Sequence, residues 1–580
     1  MKSFDIIRSF MKPYWKSIAV GSCFLVISNL LHVFLPSFIG QAIDLLGKGF
    51  SYGALYRICV IIIVLEALKS IAQFFMRYSI IGASWNIEND IRKNVFRHLL
   101  HLPPAYFTKM RTGDIIARIT NDLTAARMMF GPAVMYSMNV IVLVPLAVVF
   151  MFSKDAELTL YSLFPLPFIA LMMNILGRKI HKNFITVQES YSDISAHVQE
   201  NFNGIGVIKA FVRERSELTK LWKLSRTYVD NNCLVIRLQS IMFPLLNMLV
   251  SSSIILLLWL GGRKVAMGGT TIGVLVSLIM YIGLLVWPSI ALGWVIAIFQ
   301  RGIASMHRIQ EILSEETEPG DGGEVHERLI GAITVRDLNF SYNGDYDVLK
   351  NVSFTVKPGM TVAVTGRTGS GKSTLLDILS GNYRVPRGMV FMDGVDVNDL
   401  QLSQLRSSIA LVPQETFLFS ETVAENIAFG NEHADDEAVR RSAALAAVAD
   451  EIESFPDRYE TLLGERGVTV SGGQRQRIAI ARALISDTPM VFFDDSLSHV
   501  DTKMEKIILR NLKEVVKGKT ALIVTQRLDA VRDADNILYM KDGCILEHGT
   551  HEELMNENGE YAALYREQKS IEALEEQDIR

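Results

Sequence analysis

Polar and apolar positions are distributed unevenly along this chain. Five stretches, 17–40, 133–153, 158–177, 241–261 and 271–299, contain no Asp, Glu, Lys or Arg. Each approaches or exceeds the roughly 20 apolar residues a helix needs to cross a bilayer core of about 30 Å. A buried helix in a water-soluble core accounts poorly for five such runs in one half of a chain. A sixth stretch, 58–81, is apolar but interrupted by Glu66, Lys69 and Arg77. Counting it gives six spans and returns both ends of the region to one side of the membrane. Two long segments between spans, 82–132 and 178–240, have helical periodicity and few breakers. Leu102, Pro103 and Pro104 predict a turn in the first, and Asn203, Gly204, Ile205 and Gly206 one in the second.

After residue 313 the pattern changes. Residues 314–331 are acidic and glycine-rich, as in a linker. Beyond them, short β-type runs alternate with helical ones, as in an α/β fold. The expected organisation is an all-α six-helix membrane domain over 1–313, a linker over 314–331, an α/β domain over 332–568 and a tail over 569–580.

Composition agrees with this segregation. The 580 residues are 49% hydrophobic, yet 21% are charged, with a mean hydropathy of +0.24. A net charge of −4 offers no basic excess for nucleic acid. Cys23, Cys59, Cys233 and Cys544 lie far apart and read as unpaired thiols, neither a disulfide framework nor a metal site. Residues 1–16 are amphipathic, and no small-residue cleavage site follows the first apolar run, so no cleaved leader is expected. Segments 82–132 and 178–240 hold seven and ten Lys or Arg, and residues 1–16 add four. The opposite loops hold one or two each. The positive-inside rule therefore puts the N-terminus, both long segments and the α/β domain in the cytoplasm. For a bacterial cell this means a multi-pass protein of the inner membrane.

The α/β region carries the chemistry. Gly366, Arg367, Thr368, Gly369, Ser370, Gly371, Lys372 and Ser373 fit the phosphate-binding pattern GxxxxGK[ST]. The β-type run 361–365 precedes the motif, and a helical run from Thr374 follows. Glycines let backbone N–H groups wrap phosphates, and the helix N-terminus adds its positive end. Lys372 would neutralise the outer phosphates of ATP, and Ser373 would offer its hydroxyl to Mg²⁺. Downstream, the apolar run 490–493 ends in Asp494, as in a buried parallel strand with a carboxylate poised for Mg²⁺.

Between these motifs lie Ser471, Gly472, Gly473 and Gln474. With this signature run, nearly the whole chain resembles the ATP-binding-cassette (ABC) transporters. The resemblance implies two nucleotide domains sandwiching ATP head to tail, the signature of one chain meeting the P-loop of the other. It makes Tyr342 the aromatic that stacks on adenine, and Gln414 the residue linking Mg²⁺ and the attacking water to the membrane domain. It makes Gly464, Glu465, Arg466 and Gly467 an exporter-type contact with the partner's intracellular loops, and Asp501 a residue reaching the opposite ATP site. Tyr106–Asp114 and Gly206–Phe211 resemble the two intracellular coupling loops. Spans placed before the cassette in one chain resemble exporters, whose default cargo is a hydrophobic or amphipathic compound, a drug or lipid.

Two positions depart from the family. Where it has a glutamate to polarise the attacking water, this chain has Asp495. Where it has a switch histidine, this chain has Gln526, which still hydrogen-bonds but cannot become cationic. With P-loop and signature intact, the pattern resembles one subunit of a heterodimeric exporter. Its own site would then bind ATP and hydrolyse it poorly, while Ser471–Gln474 and Asp501 complete the partner's working site. Two alternatives remain: a homodimer, exporter or lipid flippase, using Asp495 as a weaker base, and a regulatory subunit that gates its partner without turnover. In the second apolar span, Glu66, Lys69, Gln73 and Arg77 fall within roughly 80° of arc. Glu66 and Lys69 have the spacing of an intrahelical pair, and a substrate or ion path is the other reading.

Overall fold

The computed structural model describes residues 8–48, 52–318, 328–342, 344, 346–464, 467, 470–496 and 502–578. It divides into two compact units, one of residues 1–100 and 112–315, the other of 101–111 and 316–580.

Among the described residues, the first unit is built of helices joined by short turns. Its long helices are α1 (Trp15–Lys48), α2 (Tyr52–Leu100), α3 (Thr112–Lys154), α4 (Leu166–Asn203), α5 (Glu214–Ala266) and α6 (Ile272–Ser314). Among the described residues, five stretches are long and apolar enough to cross a membrane: Arg8–Gly47, α2, α3, α5 and α6. The interrupted stretch around Glu66 is one of these. The run 158–177 instead begins in a short helix, Ala156–Leu163, and turns at Phe164 and Pro165 before α4 starts. Pro165 lacks the N–H that would continue the first helix, and Pro167 lies in the first turn of the next, where the missing N–H costs nothing.

Close backbone approach joins α1 to α6. A Cβ on Gly273 would lie 2.0 Å from the Gly40 carbonyl oxygen, so only glycine fits there. Around this contact the Ser277 hydroxyl donates to Pro36 O (2.8 Å), and Tyr281 donates to Val33 O (2.7 Å). Asp44 caps the start of α6, accepting from Gly273 N and the Thr271 hydroxyl. The apolar core here is built from Val33, Leu143, Met151, Leu257, Leu278 and Ile282. Many large apolar side chains, Ile63, Phe74, Ile141 and Ile255 among them, point outward. That suits a protein whose solvent is lipid.

The expected intrahelical pair is present, with Lys69 Nζ 2.8 Å from Glu66 Oε1. In the long extensions, buried Asp122 accepts from Ser305 and Arg308, and buried Glu88 pairs with Arg92 and Arg127. α4 and α5 pair through Asn231–Ser190 and the Tyr191–Tyr228 ring contact.

Among its described residues, the second unit holds two sheets. One is antiparallel, in the order β2-β1-β4-β5, from β1 (Ile333–Phe340), β2 (Leu349–Val356), β4 (Val390–Met392) and β5 (Val395–Asp396). The other runs β10-β9-β3-β8-β7-β6, from β3 (Thr361–Thr365), β6 (Ile409–Val412), β7 (Met490–Asp494), β8 (Thr520–Val524), β9 (Asn536–Lys541) and β10 (Cys544–Gly549). All its pairings are parallel except β9–β10. Helices α7 (Lys372–Leu379), α8 (Gly472–Leu484) and α9 (Glu560–Asp578) complete the elements that matter for the site. The boundary expected at 568/569 falls inside α9.

The short helix Pro104–Lys109 belongs to this unit. Glu318 N–H donates to His101 O (2.7 Å), and Arg406 holds the Glu318 carboxylate with two hydrogen bonds of 2.8 and 2.6 Å.

Buried Arg477 anchors α8 by donating to both oxygens of Glu451 and to Ala447 O. Glu451→Ala would strand this guanidinium, 7% exposed, without its counter-charge. We expect a loss of roughly 2–3 kcal/mol, below the usual cost of breaking a buried pair because Glu451 is itself partly exposed. Thermal unfolding of the purified chain measures it.

Candidate functional site

Strand order assembles the site. β3, β8, β7 and β6 are parallel neighbours, so their carboxyl ends lie along one edge. β3 runs into the P-loop, β8 into Thr525 and Gln526, β7 into Asp494 and Asp495, and β6 toward Gln414. Ligands of open α/β sheets bind outside the carboxyl ends of the strands. Residues more than 150 positions apart in sequence thus become neighbours.

The P-loop, 366–371, connects β3 to α7. Gly366 has φ +144°, and a Cβ there would stand 2.1 Å from Met540 O. Gly366→Ala therefore forces the loop to shift. Strain of about 1–3 kcal/mol should weaken ATP binding roughly tenfold or more, as isothermal titration can show. Lys372 is buried, and its ammonium donates to Gly366 O and Arg367 O, both at 2.9 Å, and to the Ser370 hydroxyl. Burial holds its pKa below the ordinary lysine value, opposed by the charges of Asp495 and Asp494.

Ser373 Oγ donates to Asp494 Oδ1 at 2.9 Å, so the two side chains expected to serve Mg²⁺ already meet. Burial pushes the Asp494 carboxyl up, the Ser373 hydrogen bond opposes it, and Asp377 and Asp495 push it further up. Two hard oxygens beside a P-loop are the donor set that Mg²⁺ shares with phosphates. Asp495 follows with φ +40°, its N–H bonded to Val524 O (2.8 Å). Aspartate is among the few residues that adopt this left-handed backbone without great strain. Gln526 Oε1 accepts from the Thr368 hydroxyl at 3.2 Å, which brings the residue expected at the switch position onto the P-loop.

Tyr342 is 43% exposed, its hydroxyl bonded to Thr374 Oγ1 and its ring edge-on to Phe340 and Tyr383. A propped, exposed ring suits stacking on a flat base. Tyr383 was not legible beforehand, since nothing in its local sequence sets it apart. Gln414 stands exposed past β6 and makes no side-chain hydrogen bond among the described residues. It shares the edge but does not join the Ser373–Asp494 pair.

Ser471 and Gln474 form a capping box at the start of α8. Ser471 Oγ accepts from Gln474 N (3.2 Å), and Ser471 N donates to Gln474 Oε1 (2.9 Å). Ser471 and Gly472 are exposed, so this helix end presents N–H groups outward. Glu465, Arg466 and Asp501 lie outside the described residues.

The sequence matches the ABC transporter transmembrane region over residues 18–289 and the ABC transporter nucleotide-binding family, described as "ABC transporter", over 349–498. The chain belongs to the ABC transporter family. It is similar to a probable multidrug resistance ABC transporter ATP-binding/permease protein of Bacillus subtilis, YheI, 36% identical over 98% of this chain and 97% of that one. It is 33% identical to the multidrug resistance-like ATP-binding protein MdlA of Escherichia coli, over 99% and 98% of the two chains. An ATP-dependent lipid A-core flippase of Pseudomonas aeruginosa is 36% identical over 88% of this chain and 85% of its own. A bacterial Atm1-family ABC exporter solved with ATP bound shares the fold, with a TM-score of 0.76 over 97% of this chain and 99% of that one, at 24% identity. This ABC protein therefore joins a helical membrane domain to an ATP-binding domain in one chain. It is an ATP-driven half-transporter of the exporter type.

Proposed function

We propose that this chain is the weakly hydrolysing subunit of an unlike pair, exporting a hydrophobic or amphipathic compound across the cytoplasmic membrane. Its P-loop residues, Lys372 foremost, would cradle ATP, and Ser373 and Asp494 would hold Mg²⁺, which draws charge from the outer phosphates. Tyr342 would stack on the base. Gln414 would relay the state of that site toward the membrane spans. Ser471–Gln474 and Asp501 would close over the partner's nucleotide.

One observation carries the asymmetry. Asp495 occupies the position of the water-polarising carboxylate with a side chain one methylene short, on a backbone fixed by β8. Misplacement by about 1 Å can lower a rate about 100-fold. Gln526, beside Thr368, supplies a neutral amide where a cation-forming imidazole would serve. The intact signature, by contrast, is built to act on another chain. The excess of Lys and Arg in the long segments supports a cytoplasmic ATP-binding domain. The names of the relatives support a drug-like or lipid cargo.

The test is co-purification of the tagged chain from its native membrane, followed by reconstitution. An unlike ABC half-transporter with Glu and His at the two positions should accompany it. The pair should accumulate a lipophilic dye in inside-out vesicles with ATP and Mg²⁺. Equally fast uptake by the chain alone would overturn the unlike-pair reading.

A further inference from the structure

One turn of α9 reaches the loop after β8 at three residues, Gln526, Leu528 and Asp529. Gln568 Nε2 donates to Gln526 O (2.7 Å), and Leu528 N–H donates to Gln568 Oε1 (3.1 Å). The Tyr565 hydroxyl donates to Asp529 Oδ1 (3.1 Å), and Lys569 pairs with the same carboxylate. The neighbouring Glu567 accepts from Arg367 of the P-loop at 3.2 Å. None of these α9 residues lies in a motif that binds nucleotide.

The chemistry of Gln568 fits this place closely. A primary amide offers a donor and an acceptor side by side, and here they meet a carbonyl and an N–H two residues apart. Glutamate would keep the acceptor and lose the donor, and methionine would lose both strong groups. Within the loop, Arg527 N–H donates to Thr525 Oγ1, which leaves the Gln526 carbonyl and the Leu528 N–H to Gln568. The backbone so held carries the Gln526 side chain, whose oxygen rests on Thr368 of the P-loop.

We propose that Gln568 is a positioning residue: it fixes the backbone on both sides of Gln526 so that this amide meets the third phosphate of ATP. Through it, α9 is coupled to whether the bound nucleotide is a tri- or a diphosphate. The proposal rests on the reading of Gln526 as the residue facing that phosphate.

The test is competition of ATP and of ADP against a fluorescent nucleotide on the full-length chain in lipid nanodiscs. Gln568→Ala should weaken ATP about fivefold, the worth of one net hydrogen bond, and leave ADP unchanged. Gln568→Glu, which keeps the volume but turns a carboxylate toward the Gln526 carbonyl, should do the same and guards against an alanine variant that fails to fold. Gln526→Ala should match them. The double variant Gln526→Ala/Gln568→Ala should lose no more than either single one, because both act through one contact. Equal losses of ATP and ADP in the Gln568 variants would make it a brace of the fold and overturn the proposal. Full additivity in the double variant would overturn it too. A Gln526→Ala loss without a Gln568 loss would defeat positioning and keep the reading of Gln526. An unchanged ATP/ADP ratio in Gln526→Ala would defeat both.

Discussion

Replacing Ser471 by arginine should lower the Mg²⁺-ATPase of the assembled pair by about 100-fold or more, while ATP binding at this chain's own P-loop stays within about twofold. The magnitude is that of removing one preorganised donor from a transition-state anion, roughly 10²–10³ in rate. Ser471 is exposed at the start of α8, where the helix end points outward. On the proposed reading, an arginine there would fill the space for the partner's phosphate, and it loses the cap accepted from Gln474 N. Loss of a cap alone costs about 1 kcal/mol, too little to unfold the domain. A small drop in thermal stability with a large drop in turnover therefore separates the catalytic effect from damage to the fold. Asp495→Ala in the same pair should reduce ATPase by less than about twofold, since little of the rate arises there on the argument from side-chain reach.

The converse change should create activity. Asp495→Glu with Gln526→His should raise hydrolysis at this chain's own site by about 10- to 100-fold, the scale of restoring about 1 Å of reach to a reacting group. Asp495→Glu alone should give only part of the gain, because glutamate tolerates the φ of +40° less well than aspartate. Gln526→His alone should give little, since a switch without a base has nothing to report. Single-turnover hydrolysis of radiolabelled ATP by the purified chain resolves the three variants.

The architecture was legible because membrane spans and phosphate loops obey strong local constraints. Runs without charge fix where helices can meet lipid, and the glycines of 366–371 fix where a backbone can wrap an anion. The run 158–177 is helical on both sides of a break that its apolar pattern does not mark. Hydropathy sees its apolar surface, but Pro165 decides where the helix breaks. In the site, Ser373 lies beside Asp494 and Thr368 beside Gln526 because the P-loop, Asp494 and Gln526 all stand at the carboxyl ends of adjacent parallel strands. Gln414 follows such a strand too, yet β6 is at the sheet edge, and its side chain stands apart from the Ser373–Asp494 pair. Tyr383 and Gln568 were not visible at all. Their roles come from tertiary neighbours, a ring beside Tyr342 and a loop 40 residues upstream in sequence. The tail expected from 569 onward is helix to Asp578, and Lys569 holds Asp529.

The central claim is that this chain binds ATP well and turns it over poorly. Its most direct test is the steady-state Mg²⁺-ATPase of the chain purified alone in lipid nanodiscs, measured beside its ATP stoichiometry. The account predicts about one ATP bound per chain and turnover far below the roughly 1–10³ s⁻¹ of ordinary enzymes, rising when Asp495→Glu and Gln526→His are combined. Vigorous hydrolysis by the lone chain, unchanged by that double substitution, would contradict it.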